Sequence, residues 1–330
     1  MNKFLVIGSN SFSGSHFVNY LIKNKQHVVA ISRSSEINNV FLPYKWNKVK
    51  NKNFFFKKLD LNKDTFKIIN LIKKYKLNII VNFASQSMVS QSWKTPMDWY
   101  NTNVMSHVRL HDELRKIKFL KKYVHVSTPE VYGSTKNKIR ENYNFAPSTP
   151  YAASRAACDL HLLTFYKNYS FPVVFTRASN VYGPGQQLYR IIPKAILCGV
   201  LKKKLHLHGG GNSSRSFIHI DDVVKATYLI SKKGKIGHTY HIANNQEYKI
   251  KEVVKIISKK LNIPISKLVK NVADRPGKDQ TYSLNSNKIY KEMNWKSEIS
   301  LKKGVQETLD WLLKNIKVIK KLPDYYIHKK

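Results

Sequence analysis

Short runs of apolar residues alternate with longer amphipathic stretches through the first half of the chain. The apolar runs are near-continuous and end in glycine, serine or other polar residues, which indicates strands buried on both faces. These runs predict strands at 4–8, 27–32, 54–61, 78–85, 123–128 and 172–179. Apolar positions at helical spacing predict helices at 14–24, 65–75, 105–116 and 151–169. The alternation predicts an α/β fold, a doubly wound parallel sheet with helices on both faces.

The pattern changes after residue 180. Pro184, Gly185, Pro193 and the stretch 208–216 have the composition of loops. Further on, helix and strand patterns return at 217–231 and 238–244, and amphipathic helices are predicted at 248–262 and 301–315. No repeat or linker separates the two parts, so we expect an interwoven smaller C-terminal lobe. The predicted domains are 1–179 with 217–246, and 180–216 with 247–330.

The composition indicates a globular protein with an unusual charge. The 330 residues include 58 Lys and Arg against 20 Asp and Glu, a formal net charge of +38. Because the lysines are spread along the whole chain, we interpret them mainly as a solvated surface that attracts anionic ligands. Nucleic-acid binding is therefore not expected, although an RNA-binding scaffold is kept as a remote alternative.

Cysteine content and hydropathy address the compartment. Two cysteines, Cys158 and Cys198, cannot form a disulfide framework, so a reducing, cytoplasmic location is expected. The N-terminal apolar run is short enough to be a first strand, and no run approaches the roughly 20 residues that span a bilayer. The sequence therefore predicts no membrane segment.

The turn after the first strand predicts a dinucleotide site. It contains Gly8, Ser11, Phe12 and Gly14 at the spacing of a glycine-rich turn, with Ser11 where a third glycine is usual. Such a turn lets the backbone and a helix N-terminus approach a pyrophosphate. At the end of the second strand, where NAD enzymes usually carry a carboxylate, the chain has Arg33. An arginine can hold a 2′-phosphate, so the sequence favours NADP over NAD.

Together these residues resemble the extended short-chain dehydrogenase/reductase family, with its Rossmann-type fold, over nearly the whole chain. The resemblance implies cofactor contacts from Asp60, Leu61, Phe83 and Ala84, alongside the glycine-rich turn. It also implies a catalytic hydroxyl at Thr128 and a catalytic pair of Tyr151 and Arg155, the arginine standing at the family's lysine position.

The spacing of Tyr151 and Arg155 has a physical reason. Residues four apart lie on the same helix face, and a cation beside a phenol lowers its pKa. We therefore expect Arg155 to favour the phenolate of Tyr151, which then acts as a base, with Thr128 holding the sugar hydroxyl or the phenol.

Glu130 selects among the reactions of the family. Glu130 lies two residues after Thr128. This position resembles that of the glutamate which acts as the base at carbon 5 in nucleotide-sugar 4,6-dehydratases. Pro129 stands where dTDP-glucose dehydratases carry an aspartate, which implies that Glu130 serves as both base and acid. The resemblance thus predicts a 4,6-dehydratase of deoxysugar biosynthesis, with a 4-epimerase or a decarboxylase as alternatives.

The second lobe resembles a nucleoside-diphosphate-sugar site. The resemblance implies substrate contacts from Thr128 itself and from residues outside the catalytic helix, namely Ser87, Asn180, Arg190, Arg215 and Arg275. It also implies a homodimer formed through the helices 105–116 and 152–168. The histidines on the helices show no convergent carboxylates, so no metal site is expected.

Overall fold

A seven-stranded parallel sheet organises the molecule. The computed structural model describes residues 2–46, 52–135, 137–273 and 283–329. The described strands are β1 (Lys3–Ile7), β2 (His27–Ser32), β3 (Phe54–Lys58), β4 (Ile79–Asn82), β5 (Lys122–Val126), β6 (Val173–Ala178), β7 (Asn180–Tyr182), β8 (Leu205–His208), β9 (Ser214–His219), β10 (Thr239–Ile242), β11 (Glu247–Lys249) and β12 (Val269–Val272). The large sheet has the order β3-β2-β1-β4-β5-β6-β10, so the strand order reverses between β1 and β4. Ligands of such sheets bind at the carboxyl ends of the strands beside this point.

Helices cover both faces of the sheet. The described α-helices are α1 (Phe12–Lys23), α2 (Thr65–Tyr75), α3 (Pro96–Tyr100), α4 (Ser106–Leu114), α5 (Pro150–Tyr169), α6 (Ile191–Val200), α7 (Ile220–Lys233), α8 (Ile250–Lys260), α9 (Ile265–Leu268), α10 (Asn287–Met293), α11 (Leu301–Lys314) and α12 (Ile316–Ile319). Between α3 and α4 the residues Asn101–Met105 form one π-helical turn. The predicted helix 105–116 is therefore the last part of a longer, interrupted helix.

Alternate side chains of the strands build two separate cores. Phe4 and Val6 of β1 pack with α1 and α7 on one face, while Leu5 and Ile7 pack with α2, α4 and α5 on the other. Because successive residues of a strand point to opposite faces, a run without polar residues fills both cores. The α/β fold with a parallel sheet is confirmed.

The second lobe has its own core and two small sheets, β11-β9-β7 and β12-β8. The prediction of a loop at 208–216 was wrong at its end, since Ser214–Ser216 belong to β9 and pair with Glu247–Lys249 of β11. The division of the chain into two domains at residues 179, 217 and 246 remains a prediction. Among the described helices, none is long and apolar enough to cross a membrane.

Candidate active site

The turn between β1 and α1 is held by its serine. Ser11 caps α1: its Oγ accepts a hydrogen bond from the Gly14 amide at 3.1 Å and donates one to the Gly8 carbonyl at 2.7 Å. Gly8 has a φ of +80°, and a β-carbon there would lie 2.7 Å from the Ala84 nitrogen. Gly8 lets the turn approach the loop after β4. Ser11, at the position where the family usually has a glycine, acts as the N-cap of α1.

Asn10 ties this turn to the loop after β2. Its Nδ2 donates to the carbonyl oxygens of Ser34 and Ser35 at 3.2 and 2.9 Å, which fixes the orientation of the amide. Its Oδ1 is buried and has no hydrogen-bond partner among the described residues. Arg33, in the same loop, donates through Nη1 to the Lys329 carbonyl at 3.0 Å.

The other residues that the resemblance implied for the cofactor lie along the same sheet edge. Asp60 follows β3 and accepts a hydrogen bond from the Asn62 amide at 2.9 Å, and Leu61 is buried. Phe83 follows β4 and is buried against Phe17, with ring centroids 5.6 Å apart. The Ala84 amide donates to Asn82 Oδ1. All four therefore follow the strands whose carboxyl ends face the cleft.

Thr128, Glu130 and Tyr151 come together at the end of β5. Thr128 Oγ1 accepts a hydrogen bond from the Glu130 amide at 3.3 Å, because it caps a short 3₁₀ helix at Pro129–Tyr132. Thr128 also hydrogen-bonds the Tyr151 side chain. Glu130 is half-buried and near enough to Tyr151 for its charge to act on the phenol.

Tyr151 is a phenol in this structure. Burial raises its pKa to about 12, and the Glu130 carboxylate adds to the rise, while Arg155, the bond from Thr128 and Arg190 act in the opposite direction. In this structure burial and Glu130 outweigh the Arg155 cation, so the role of Tyr151 as a base remains a prediction. The sense of the Arg155 effect is as expected.

Arg155 is fully buried, and both of its contacts come from one nitrogen of the guanidinium. Its Nη2 donates to the Val126 carbonyl and lies 3.1 Å from His125 Nε2. Its Nη1 is buried without a hydrogen-bond partner among the described residues. The planar fork therefore keeps one nitrogen on the end of β5 and leaves the other for a ligand.

A buried ionic network lies beneath Pro129–Tyr132, the 3₁₀ turn that carries Glu130. Ser127 Oγ donates to Asp159 Oδ2 at 2.7 Å, and Arg177 Nη2 donates to the same oxygen at 2.7 Å. Burial opposes ionisation of Asp159, but Arg177 together with His125 and Arg155 holds the pKa of this carboxyl well below its usual range. Arg177 also binds the Tyr132 hydroxyl, so the network holds both ends of the turn that carries Glu130.

Asn103 is a positioning residue that the sequence did not indicate. It lies in the π-helical turn and is fully buried. Its side chain accepts from the Gln86 amide at 2.8 Å and donates to the Gln86 carbonyl and to Ser154 Oγ, both at 3.0 Å. Ser154 Oγ in turn donates to the Tyr151 carbonyl. The turn thus connects the loop after β4 to the catalytic helix, and periodicity alone offers no signal for such a contact.

The residues predicted to hold the substrate are spread more widely. Arg190 precedes α6 and lies close enough to Tyr151 to lower its pKa. Asn180 begins β7, and Arg215 lies on β9, where its Nη1 donates to the Ser214 carbonyl. Ser87 is exposed, while its neighbour Gln86 is buried. The predicted contact Arg275 lies outside the described residues.

Histidines gather behind Arg155, which the sequence did not predict. Ligand atoms of His107, His125 and Cys158 lie within 4.8 Å of one another, all buried. Burial lowers the pKa of His125 to about 4, and the Arg155 charge contributes. The same guanidinium disfavours a metal cation in this cluster.

The described residues fit a dinucleotide. Asn10 Oδ1, at the end near β2, is an acceptor that a ribose hydroxyl would satisfy, and Arg155 Nη1, beside Tyr151, is a donor that the second ribose would satisfy. The capped N-terminus of α1 lies between them and carries no acidic residue in its first turn, which suits a pyrophosphate.

The fold and this constellation define a dinucleotide-binding enzyme of the Rossmann type with a threonine–tyrosine site. A family model described as GDP-mannose 4,6 dehydratase matches residues 5–308. A dTDP-glucose 4,6-dehydratase of Haemophilus influenzae is 33% identical, over 96% of this chain and 99% of its own. The chain belongs to the GDP-mannose 4,6-dehydratase family, and the resemblance to extended short-chain dehydrogenases/reductases is confirmed.

Solved structures agree. The dTDP-glucose 4,6-dehydratase of Streptomyces venezuelae, with NAD bound, is 29% identical with a TM-score of 0.88, covering 96% of this chain and 98% of that one. The enzyme of Bacillus anthracis, in complex with NAD, is 31% identical with a TM-score of 0.88, covering 98% and 100%. Both relatives are similar to this chain over its full fold.

Proposed function

We propose that the protein is a nucleotide-sugar 4,6-dehydratase that oxidises carbon 4 of the sugar, removes water across carbons 5 and 6, and reduces carbon 6. The observation that carries this proposal is the carboxylate of Glu130 beside the phenol of Tyr151, at the end of β5. Oxidation and reduction need the phenol and a cofactor, whereas elimination needs an additional base, and Glu130 is in place for it.

Tyr151 and Thr128 perform the first step. The Thr128 hydroxyl holds the phenol, and Tyr151 takes the proton of the carbon 4 hydroxyl as that carbon is oxidised. Asn10, the N-terminus of α1 and Arg155 would hold the dinucleotide, and a bound nicotinamide would supply the hydride acceptor for carbon 4 and the hydride donor for carbon 6. Arg155 and Arg190 are the cations of the chain that lower the pKa of Tyr151 toward this role.

Glu130 performs the elimination. The ketone at carbon 4 makes the carbon 5 hydrogen acidic, and Glu130 removes it as a proton. The carbon 6–oxygen bond then breaks, and the proton on Glu130 passes to the departing hydroxyl, which leaves as water. Since Pro129 is buried and carries no acid, Glu130 provides both transfers. Return of the hydride to carbon 6 leaves an enolate, and its carbon 5 regains a proton from solvent through Glu130. Tyr151 releases its proton to solvent, because the product keeps the carbon 4 ketone.

NAD is the cofactor that we propose. The sequence-based preference for NADP rests on Arg33 and is not supported by the relatives, whose structures hold NAD. The Arg33 guanidinium donates to the Lys329 carbonyl, and Asn10 Oδ1 is an acceptor that suits a free ribose hydroxyl better than a phosphate.

A homodimer in the cytoplasm completes the proposal. Leu160 on α5 and Met105 before α4 are large apolar side chains that are about half exposed, at 48% each, on the two helices expected to pair. Leu162 and Leu163 of the same helix are buried in the core of the subunit. Sedimentation velocity of the native chain and of Leu160→Glu tests the dimer.

Mass spectrometry of the product tests the function. The protein is incubated with NAD and, separately, with dTDP-glucose, GDP-mannose, UDP-glucose, UDP-N-acetylglucosamine and UDP-glucuronate. Loss of one water from one of these supports the proposal. Loss of carbon dioxide from the glucuronate, or an inverted carbon 4 with unchanged mass, would replace it with a decarboxylase or an epimerase. The same reactions with Glu130→Gln should yield dehydrated product at least about 100-fold more slowly.

A further inference from the structure

An extended segment, residues 323–329, crosses from the second lobe to the edge of the large sheet. Its side chains alternate, since 324, 326 and 328 face the protein whereas 323, 325, 327 and 329 are exposed. This alternation is that of a strand lying along a surface. Tyr325 and Ile327 are 65% and 51% exposed, so one side of the segment remains open to solvent.

The second lobe anchors the start of the segment. Lys194 on α6 donates to the Asp324 carboxylate at 2.6 Å and to its carbonyl at 3.1 Å. Tyr326 packs edge-to-face against Tyr189, with ring centroids 5.6 Å apart. These contacts lie next to Arg190, whose charge acts on both Tyr326 and Tyr151.

The dinucleotide-binding sheet anchors the other end. The Lys329 carbonyl accepts hydrogen bonds from Arg33 at 3.0 Å and from Gln86 at 2.6 Å. His328 stacks on Trp99, with the rings 5.1 Å apart and within 5° of parallel, and its Nε2 lies 2.7 Å from the Asp98 carboxylate.

The two donors to Lys329 lie on opposite sides of the cofactor turn. Arg33 follows β2 and Gln86 follows β4, with β1 between them in the sheet. Adjacent strands are roughly 4.8 Å apart, so one carbonyl bridges a gap of about 10 Å over the end of β1. The segment therefore spans the crevice in which the dinucleotide is expected.

The polar groups of the segment bind residues around the Gly8–Gly14 turn. Among the described residues its hydrogen bonds go to Arg33, Gln86, Asp98 and Lys194 rather than to the Gly8–Gly14 turn. The two buried atoms that suit the dinucleotide, Asn10 Oδ1 and Arg155 Nη1, keep no partner although the segment is in place. The segment thus leaves these two atoms available to a dinucleotide.

We propose that residues 323–329 form a latch that closes over the bound dinucleotide and retains it between turnovers. The inference builds on the proposed function, because a dehydratase regenerates its cofactor in each cycle and has no need to exchange it. The contacts are hydrogen bonds, ion pairs and ring stacks at half-exposed positions, which can open, so the latch slows release without making it impossible.

Retention of the dinucleotide measures the latch directly. We compare the native chain, a variant that ends after Leu322, and the single changes Tyr326→Ala and His328→Ala. Tyr325→Ala is the matched control, since this tyrosine is the exposed neighbour of Tyr326. The readouts are NAD remaining after gel filtration and the dissociation rate of NADH followed by its fluorescence. We expect dissociation at least tenfold faster in the shortened chain, several-fold faster in each single variant, and unchanged in the control.

Two results would overturn the latch. Unchanged dissociation in the shortened chain and in both single variants would show that the segment does not restrain the dinucleotide. Slower dissociation, or tighter NAD binding, after shortening would show that the segment competes with it. Amide hydrogen exchange gives an independent measure, in which NAD should increase protection of 323–329. None of these readouts requires a sugar substrate, so failure of the latch and failure of the dehydratase assignment are separately visible.

Discussion

At the scale of single residues, the site combines groups that oppose one another. Burial and Glu130 hold Tyr151 as a neutral phenol, while Arg155 and Arg190 lower its pKa. The sequence predicted that Arg155 lies beside Tyr151, because residues four apart on a helix share one face. The sequence did not predict the burial of Tyr151 and Arg155 or the contact of Arg155 with His125, because both depend on how α5 packs on β5.

Glu130→Gln should separate oxidation from elimination. Glutamine keeps the shape of the side chain but cannot accept the carbon 5 proton, so we expect dehydrated product to form at least about 100-fold more slowly while reduced cofactor accumulates. Absorbance of NADH with product analysis checks both. Tyr151→Phe is the control that should block the first step, leaving no NADH. Product formation at the native rate by Glu130→Gln would remove this residue from the mechanism.

Changes at Arg155 should alter the pH dependence of the reaction. Arg155→Met removes a charge that lowers the pKa of Tyr151, so the pKa rises and the rising limb of the rate profile moves to higher pH. Arg155→Lys keeps the charge and should shift the limb less, although it lacks the second nitrogen that Arg155 leaves for a ligand. Profiles of kcat from pH 6 to 10 compare the three proteins. Coincident profiles would contradict an electrostatic role.

At the scale of elements, sequence patterns performed best where strands and helices alternate regularly. The strands of the large sheet were found because their apolar runs fill two cores. In the second lobe α6 was missed, since Pro193 was interpreted as loop chemistry although it lies in the first turn of the helix, where proline is tolerated. The interruption at Asn101–Met105 and the segment 323–329 were also missed, because both depend on partners distant in sequence.

Ser11 should contribute to the stability of α1 rather than block the cofactor. Ser11→Ala removes the cap and the bond to the Gly8 carbonyl, so we expect a loss of about 1 kcal/mol in the free energy of unfolding. Ser11→Gly, which restores the usual family glycine, should cost only a few tenths of a kcal/mol. Chemical denaturation measures both, and NAD titration should show similar affinities. A gain in NAD affinity of tenfold or more in the glycine variant would show that the serine obstructs the turn.

At the scale of the whole molecule, the net charge of +38 indicated little about the fold, and the buried histidines are the more informative titratable groups. Burial lowers the pKa of His16, His125 and His219 to about 4 each and that of His241 to about 3, and it holds His111 well below its usual value. These rings are neutral when folded, whereas in the unfolded chain they take up protons near pH 6.5. The sequence shows histidines but not their burial, so this property could not be predicted from it.

The folded protein should therefore lose stability as the pH falls below 6.5. Between that value and about pH 4 the unfolded chain binds more protons than the folded one, so each buried histidine lowers the free energy of unfolding by up to about 1.4 kcal/mol per pH unit. Above pH 7 these groups are neutral in both states and contribute no slope. Denaturant unfolding from pH 4.5 to 8 measures the effect.

A substitution at His111 tests this explanation, because glutamine can keep the contact with Tyr123 while losing the titratable ring. His111 Nε2 lies 2.9 Å from the Tyr123 hydroxyl, and His111→Gln retains an amide for that hydroxyl but cannot bind a proton. We expect the acid slope of this variant to be shallower by up to about 1.4 kcal/mol per pH unit, while His206→Gln, at an exposed position of β8, leaves it unchanged. Both variants retain nearly all of the positive charge, so repulsion at low pH affects them alike. Equal slopes in the two variants would mean that protons enter the folded histidine cluster freely, and the buried rings would then not account for acid sensitivity.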